Sequence, residues 1–241
     1  MSSDTGEVKA VEALARWDHP RRGAVSPDEF IPVAEDTGLI VPLGQWVLHE
    51  ACRQAVEWRK LGYDLDMHVN ISALQLQQPG IVPEVADALR RSGLSPDRLV
   101  LEVTETVVME DVDQTVEVMS ELCRLGVRMA MDDFGRGNSS LAHLKRFPIQ
   151  IVKIDKVFVD GLIRNNEDRA VIRSVILLAA ELGMGVTAEG IESEAQLHSL
   201  RDLGCDGAQG YHLSRPVHPA TIPVLIERGL PATDGAAAAP T

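Results

Sequence analysis

Short apolar segments alternate with helical segments along nearly the whole chain, and this alternation limits the fold more than any other feature. Several helical segments end at a glycine, as at Gly62, Gly93 and Gly126. Strands that alternate with helices of about 10 to 15 residues form parallel βαβ units, so we expect an α/β fold of the barrel type, which has eight strands when closed. The seven strand candidates lie at 8–17, 65–72, 98–105, 128–132, 149–155, 185–191 and 208–212.

Capping residues mark where two of the helices begin. Ser26 precedes Pro27, a pair typical of the N-cap and first position of a helix. Ser193 and Gln196 have the spacing of a capping box. Two helical segments are expected to follow Ser26 and to run to about residue 61. The later helix candidates lie at 83–92, 112–125, 140–145, 168–182, 193–203 and 219–228.

Composition narrows the functional class. The length of 241 residues and the hydrophobic fraction of 45% suit one barrel with an ample core. A formal net charge of -13 argues against binding to DNA or to an anionic membrane surface. We find neither a signal-peptide pattern nor an apolar run long enough to cross a membrane, so we expect a cytoplasmic segment. The three isolated cysteines are typical of reduced thiols: Cys52, Cys123 and Cys205.

Two adjacent carboxylates, Asp132 and Asp133, end a short apolar strand and are followed by a loop with Gly135 and Gly137. Neighbouring like charges repel unless something neutralises them, and a divalent cation is a common solution. A glycine-containing loop beside them would let the backbone approach a ligand closely. A solvated strand end followed by a flexible turn is the alternative.

A polar residue near the carboxyl end of an apolar strand is a pattern that recurs along the chain. Side chains alternate along a strand, so the polar residues are expected to face the barrel interior while their apolar neighbours face the helices. Inward residues at the carboxyl ends of barrel strands converge on one cavity. The residues concerned are Glu12, Asn70, Glu102, Asp132, Lys153, Glu189 and Gln209.

These side chains favour a metal site over a structural polar network, because buried carboxylates are costly unless cations balance them. The donors are oxygens without a His or Cys cluster, which favours Mg²⁺ or Mn²⁺ over Zn²⁺. The histidines are scattered and are interpreted as surface or core residues, although His68 shares strand parity with Asn70. Metals, a free acid and a lysine together indicate metal-assisted attack of water on a phosphoester.

Ordered motifs resemble those of the EAL-domain cyclic di-GMP phosphodiesterases. The first is Glu-Ala-Leu at 12–14, followed by Arg-Trp at 16–17. This resemblance implies a modified (β/α)8 TIM-like barrel that hydrolyses cyclic di-GMP to linear pGpG. The further motifs are Val-Asn-Ile-Ser at 69–72, Glu-Val-Thr-Glu at 102–105, Asp-Asp-Phe-Gly at 132–135, Val-Lys-Ile-Asp at 152–155, Ala-Glu-Gly-Ile-Glu at 188–192 and Gln-Gly-Tyr at 209–211.

The resemblance also implies two metal ions, Mg²⁺ or Mn²⁺, and their ligands. Glu12, Asn70, Glu102 and Asp132 would bind the first ion. Asp132 and Asp133 would bind the second ion or bridge to it.

The remaining roles implied by the resemblance concern the reaction, the substrate and a loop. Glu189 would act as the general base or orient water, and Lys153 would position water and stabilise developing charge. Arg16 would contact phosphate, and Gln209 would also contact the substrate. Glu105 would anchor the loop from Phe134 to Ser140, which in the family couples dimerisation to metal binding.

The sequence departs from the family pattern in two places. Arg136 and Asn138 stand where the family commonly has Thr and Tyr, so we expect altered regulation. The resemblance also implies an antiparallel first strand with a Gln-Pro motif that this sequence lacks, so we expect a barrel without that strand, in agreement with the count of seven strand candidates. We expect a disordered start or turn at 1–7, an N-terminally truncated barrel at 8–230 and a disordered tail at 231–241.

Two functions of different classes follow from the resemblance. The complete set of metal ligands and the base favour an active phosphodiesterase. The truncation favours a cyclic di-GMP receptor or protein-interaction module without turnover. An unrelated metal-dependent barrel enzyme would explain the acids but not the ordered motifs. We further expect a homodimer and flanking sensory or GGDEF domains in a longer, membrane-tethered parent.

Overall fold

The computed structural model describes residues 1–3, 5–135 and 144–229. The expected tail at 231–241 therefore lies outside the described residues, as do Arg136 and Asn138 and most of the helix expected at 140–145.

Seven strands form one parallel sheet in which every strand pairs with its neighbours in chain order, and the curled sheet confirms the expected α/β barrel type. Between the first and second of these strands lies an antiparallel hairpin of β2 (Trp17–His19) and β3 (Gly23–Val25), which is not among the expected strands. The parallel strands are β1 (Ala10–Ala13), β4 (Asp66–Asn70), β5 (Leu99–Thr104), β6 (Arg128–Phe134), β7 (Ile151–Ile154), β8 (Gly185–Ala188) and β9 (Gly207–Ala208).

Helices connect the strands, and local capping explains several of their ends. Ser26 accepts a hydrogen bond from Asp28 N at the start of the first helix, and Ser193 forms the predicted capping box with Gln196. Gly93 ends a helix with a φ of 76°, in the left-handed region that glycine adopts without strain. The helices are α1 (Pro27–Asp36), α2 (Ile40–Lys60), α3 (Ala73–Leu76), α4 (Ile81–Ser92), α5 (Glu105–Glu110), α6 (Val112–Arg124), α7 (Lys156–Gly161), α8 (Asn166–Glu181), α9 (Glu194–Asp202) and α10 (Ile222–Arg228).

The core lies on both faces of the central strands. Leu99, Leu101, Met129 and Met131 are fully buried between the sheet and the helices, as expected for parallel strands covered by helices. The opposite face is also buried, at Val100 and Ala130. None of the described helices is long and apolar enough to cross a membrane.

The three cysteines are free thiols. Cys52 and Cys205 are buried, and burial raises the pKa of each of these thiols to about 12, which is typical of unreactive structural cysteines.

The first residues of the chain pack against the edge of the sheet. Ser2 and Gly207 form an antiparallel bridge, and Ala208 N donates to Met1 O at 2.9 Å. Ser2 N donates to Glu7 O at 2.9 Å, which closes a turn that leads into β1. This turn lies between the two edge strands β9 and β1.

We predict that Gly210→Ala destabilises the fold by about 3 kcal/mol, because a Cβ at Gly210 would overlap the backbone of Ile191. The backbone around Ile191 holds the end of β9, since Ile191 N donates to Gln209 O at 3.0 Å. Gly80→Ala is the matched control, because a Cβ there has nothing within 4 Å. Chemical denaturation of both variants measures the effect, and equal stabilities would contradict this packing.

Candidate active site

Lys153 lies at the centre of a cluster of carboxylates at the carboxyl end of the sheet. The residue is on β7 and is only 1% exposed. Its Nζ is 2.5 Å from Glu189 Oε1 and 2.7 Å from Glu102 Oε2. The distances to Asp132 Oδ1 and Glu12 Oε2 are 3.4 Å and 3.9 Å. One ammonium group therefore faces four carboxylates.

The strand register explains this convergence. Glu12 is aligned with His68 across the β1–β4 pair, and Asn70 is aligned with Glu102 across the β4–β5 pair. Alternation along each strand directs these polar side chains to the inner face, while neighbours such as Leu101 face the helices. The predicted inward set is thus brought together.

Glu12 is held by two side-chain amides from different strands. Asn70 Nδ2 donates to Glu12 Oε1 at 2.7 Å, and Gln209 Nε2 donates to Glu12 Oε2 at 2.6 Å. Gln209 follows β9, so its contact with Glu12 joins the two edge strands of the sheet at the cavity.

Glu102 is the most deeply buried carboxylate of the cluster, with a side chain that is 0% exposed. Its Oε1 lies 2.6 Å from His68 Nδ1, and its Oε2 accepts a hydrogen bond from Lys153 Nζ. His68 shares strand parity with Asn70, but no sequence motif assigns it a role. The strand parity that His68 shares with Asn70 is the sequence signal that could have identified it as a site residue.

The backbone changes course at the pair of aspartates. Asp133 has a φ of 55°, in the left-handed region that is uncommon for residues other than glycine, and the β6–β7 register shifts between Met131 and Phe134. Asp133 N donates to Asp132 Oδ1 at 3.0 Å. Such an irregularity re-aims side chains at the end of a strand, so the two carboxylates do not simply alternate.

Two predicted site residues lie outside the carboxylate cluster. Glu105 is 3% exposed, and its Oε2 accepts a hydrogen bond from Gly135 N at 3.0 Å, directly before the loop that it is expected to anchor. Arg16 is exposed, and its guanidinium donates to Ala15 O at 2.9 Å. The guanidinium of Arg16 is therefore at the surface of the protein.

The cluster carries excess negative charge, and the pKa values reflect it. Burial raises the pKa of Glu189 to about 8 against the opposing charge of Lys153. Burial also raises the pKa of Asp132. For Glu102, burial acts to raise the pKa, but the hydrogen bond from His68 and the charge of Lys153 outweigh it and lower the pKa overall. Burial acts to lower the pKa of Lys153, but the surrounding carboxylates raise it well above its usual value.

Comparison with known proteins shows the family, because residues 1–216 match the EAL domain. The chain belongs to the EAL domain family. The bifunctional diguanylate cyclase/cyclic di-GMP phosphodiesterase MucR of Pseudomonas aeruginosa is 45% identical over 213 residues, which are 88% of this chain and 31% of that protein. The signaling protein YkoW of Bacillus subtilis is 42% identical over 88% of this chain and 27% of its own length. This EAL domain thus spans less than a third of either relative.

A solved structure supports both the family and the barrel fold. The PaMucR phosphodiesterase in complex with c-di-GMP is 44% identical and superposes with a TM-score of 0.85, covering 88% of this chain and 87% of that chain. The resemblance seen in the sequence and the expected barrel fold are confirmed.

EAL domains are metal-dependent, and the donor set of this site fits a hard cation. All donors predicted as ligands are carboxylate or amide oxygens, and four carboxylates exceed the single charge of Lys153. Within residues 1–3, 5–135 and 144–229, Glu189 Oε1 is the one buried side-chain oxygen without a directional hydrogen bond, although it lies in ion-pair contact with Lys153. Over the same ranges, no three His, Cys, Asp or Glu side chains are already arranged to hold a metal ion.

We predict that Lys153→Met lowers the free energy of unfolding of the metal-free protein by about 3 kcal/mol, because buried carboxylates lose their neutralising partner. Thermal and urea denaturation in a chelator measure this change. Lys60→Met is the matched control: Lys60 is 64% exposed and pairs with Glu57 on the surface, so stability should not change measurably. Equal stability of the wild type and Lys153→Met would show that Lys153 does not balance the cluster.

Proposed function

We propose that this EAL domain is a metal-dependent phosphodiesterase that hydrolyses cyclic di-GMP to linear pGpG. The observation that carries the proposal is the convergence of four carboxylates on Lys153 at the carboxyl end of the sheet. Active sites of such barrels lie at this end. The 44% identity to the PaMucR phosphodiesterase, which was solved in complex with c-di-GMP, supports this substrate.

The proposed cofactors are two ions of Mg²⁺ or Mn²⁺. Glu12, Asn70, Glu102 and Asp132 would hold the first ion, and Asp132 with Asp133 would hold or bridge to the second. Bound ions neutralise the phosphodiester charge and make water more acidic. An acidic protein needs this positive charge to bind an anionic substrate.

Glu189 and Lys153 would carry the proton transfer and the charge stabilisation. Glu189 is the carboxylate of the cluster that is not among the proposed metal ligands, and its Oε1 lies 2.5 Å from Lys153 Nζ, so it is the group assigned to orient water and accept its proton. Lys153 Nζ, held by Glu102, would position the same water and stabilise negative charge on the phosphate oxygens.

Gln209 and Arg16 are the proposed substrate contacts. Gln209 lies at the cavity beside Glu12, where its amide can exchange that hydrogen bond for one to the substrate. Arg16 is exposed near the end of β1, so a turn of its long side chain would bring the guanidinium towards a phosphate. Glu105 would hold the backbone before the loop through Gly135.

A receptor without turnover is the second candidate, and a solved EAL domain that is described as bound to c-di-GMP favours it. The FimX EAL domain from Pseudomonas aeruginosa, described as bound to c-di-GMP, is 26% identical, with a TM-score of 0.82 over 90% of this chain and 87% of that chain.

We further propose that the chain forms a homodimer. We also propose that it lies in the cytoplasm as part of a longer parent protein with sensory or GGDEF domains.

Incubation of the chain with cyclic di-GMP is expected to yield pGpG only when Mg²⁺ or Mn²⁺ is added, because the carboxylate cluster needs cations to admit the substrate. Chromatography of the nucleotides measures the product. Nucleotide binding without product in either metal would favour the receptor instead.

Glu189→Gln is expected to retain cyclic di-GMP binding and to lower the hydrolysis rate by at least about 100-fold, because an amide of the same shape cannot accept the proton of water. Isothermal titration and single-turnover kinetics separate the two effects. Glu192→Gln is the matched control, since Glu192 pairs with Lys156 outside the cluster. A normal rate for Glu189→Gln would rule out its role as the base.

A further inference from the structure

His68 makes a contact that none of the proposed roles uses. It lies on β4, two residues before Asn70 and on the same face of the strand. Its side chain is 12% exposed, and its Nδ1 is 2.6 Å from Glu102 Oε1. An ionised carboxylate only accepts hydrogen bonds, so Nδ1 carries the proton and donates.

The two oxygens of Glu102 are held by different strands. His68 on β4 donates to Oε1, and Lys153 on β7 donates to Oε2. The side chain of Glu102 is fully buried, so without His68 its Oε1 would lose a partner that water cannot replace. The carboxylate would then turn away from its present orientation to find another donor.

We propose that His68 is a positioning residue that sets the orientation of Glu102 before metal binds. The proposal rests on the proposed function, because it takes Glu102 as a metal ligand. Partners that hold a metal ligand in place commonly contribute a factor of about 10 to 100 to metal affinity. His68 therefore raises metal affinity without contacting the metal or the substrate.

The test compares three replacements of His68 in the full chain. Asn presents a donor at about the position of Nδ1, Gln presents its donor further out, and Leu has none. We expect His68→Leu and His68→Gln to weaken Mn²⁺ binding by about 10-fold and His68→Asn to stay within a few-fold of the wild type. The signal of free Mn²⁺ in electron paramagnetic resonance measures affinity without any turnover.

His49→Leu is the matched control. His49 Nε2 lies 2.8 Å from Glu84 Oε1 between α2 and α4, a contact of the same chemistry away from the site. We expect the His49→Leu variant to bind Mn²⁺ with the affinity of the wild type. Melting of each metal-free variant checks the fold, and if His68→Leu fails to fold, the comparison of Asn with Gln decides.

Two results would overturn the proposal: unchanged Mn²⁺ affinity in folded His68→Leu, or equal affinities for the Asn and Gln variants. The first of these results, if the metal-free variant is also less stable than the wild type, would mean that His68 only holds β4 to β5. The Glu102→Gln variant distinguishes failure of the His68 proposal from failure of the proposed function. If that variant binds Mn²⁺ normally, the proposed ligand set fails; if it loses Mn²⁺ while the His68 variants do not, only the role of His68 fails.

Discussion

The site depends on one buried cation, the ammonium group of Lys153, which faces carboxylates from four strands. Burying charged groups is costly unless they are paired and hydrogen-bonded. Lys153 offsets part of the charge of Glu12, Glu102, Asp132 and Glu189 and holds their strand ends together. Because it cannot neutralise all four, the cluster retains an attraction for further cations. The same imbalance that opposes stability therefore suits the site to metal binding.

The geometry of the cluster is supported by an apolar sheet. Strands β5 and β6 are buried on both faces, so their inward carboxylates project from a rigid support. At the end of β6, the left-handed Asp133 breaks the alternation of the strand. Local strain of this kind is maintained where the surrounding structure is well packed, and it commonly occurs at functional sites. Stability in the sheet thus permits irregular backbone at the aspartate pair.

Closure of the sheet and assembly of the site are linked at the two edge strands. Gln209 after β9 donates to Glu12 on β1, so a side-chain hydrogen bond spans the edges at the cavity. At the other end, the bridge between Ser2 and Gly207 covers the backbone of β9. A change in the separation of these edges would alter the position of Glu12, and through it the spacing of the cluster.

The sequence by itself determined the alternation of strands and helices and the inward residues, because a period of two places every second side chain on one face. It also carried the capping box at Ser193 and the motifs of the family. Elements too short to show a full period, such as the hairpin of β2 and β3, could not be predicted from the sequence pattern. Tertiary structure alone decided that the carboxylates close on Lys153, that Arg16 is exposed and that His68 holds Glu102. These features depend on distances between strands that are far apart in the chain. The curl and register of the sheet set those distances, and local periodicity does not encode them.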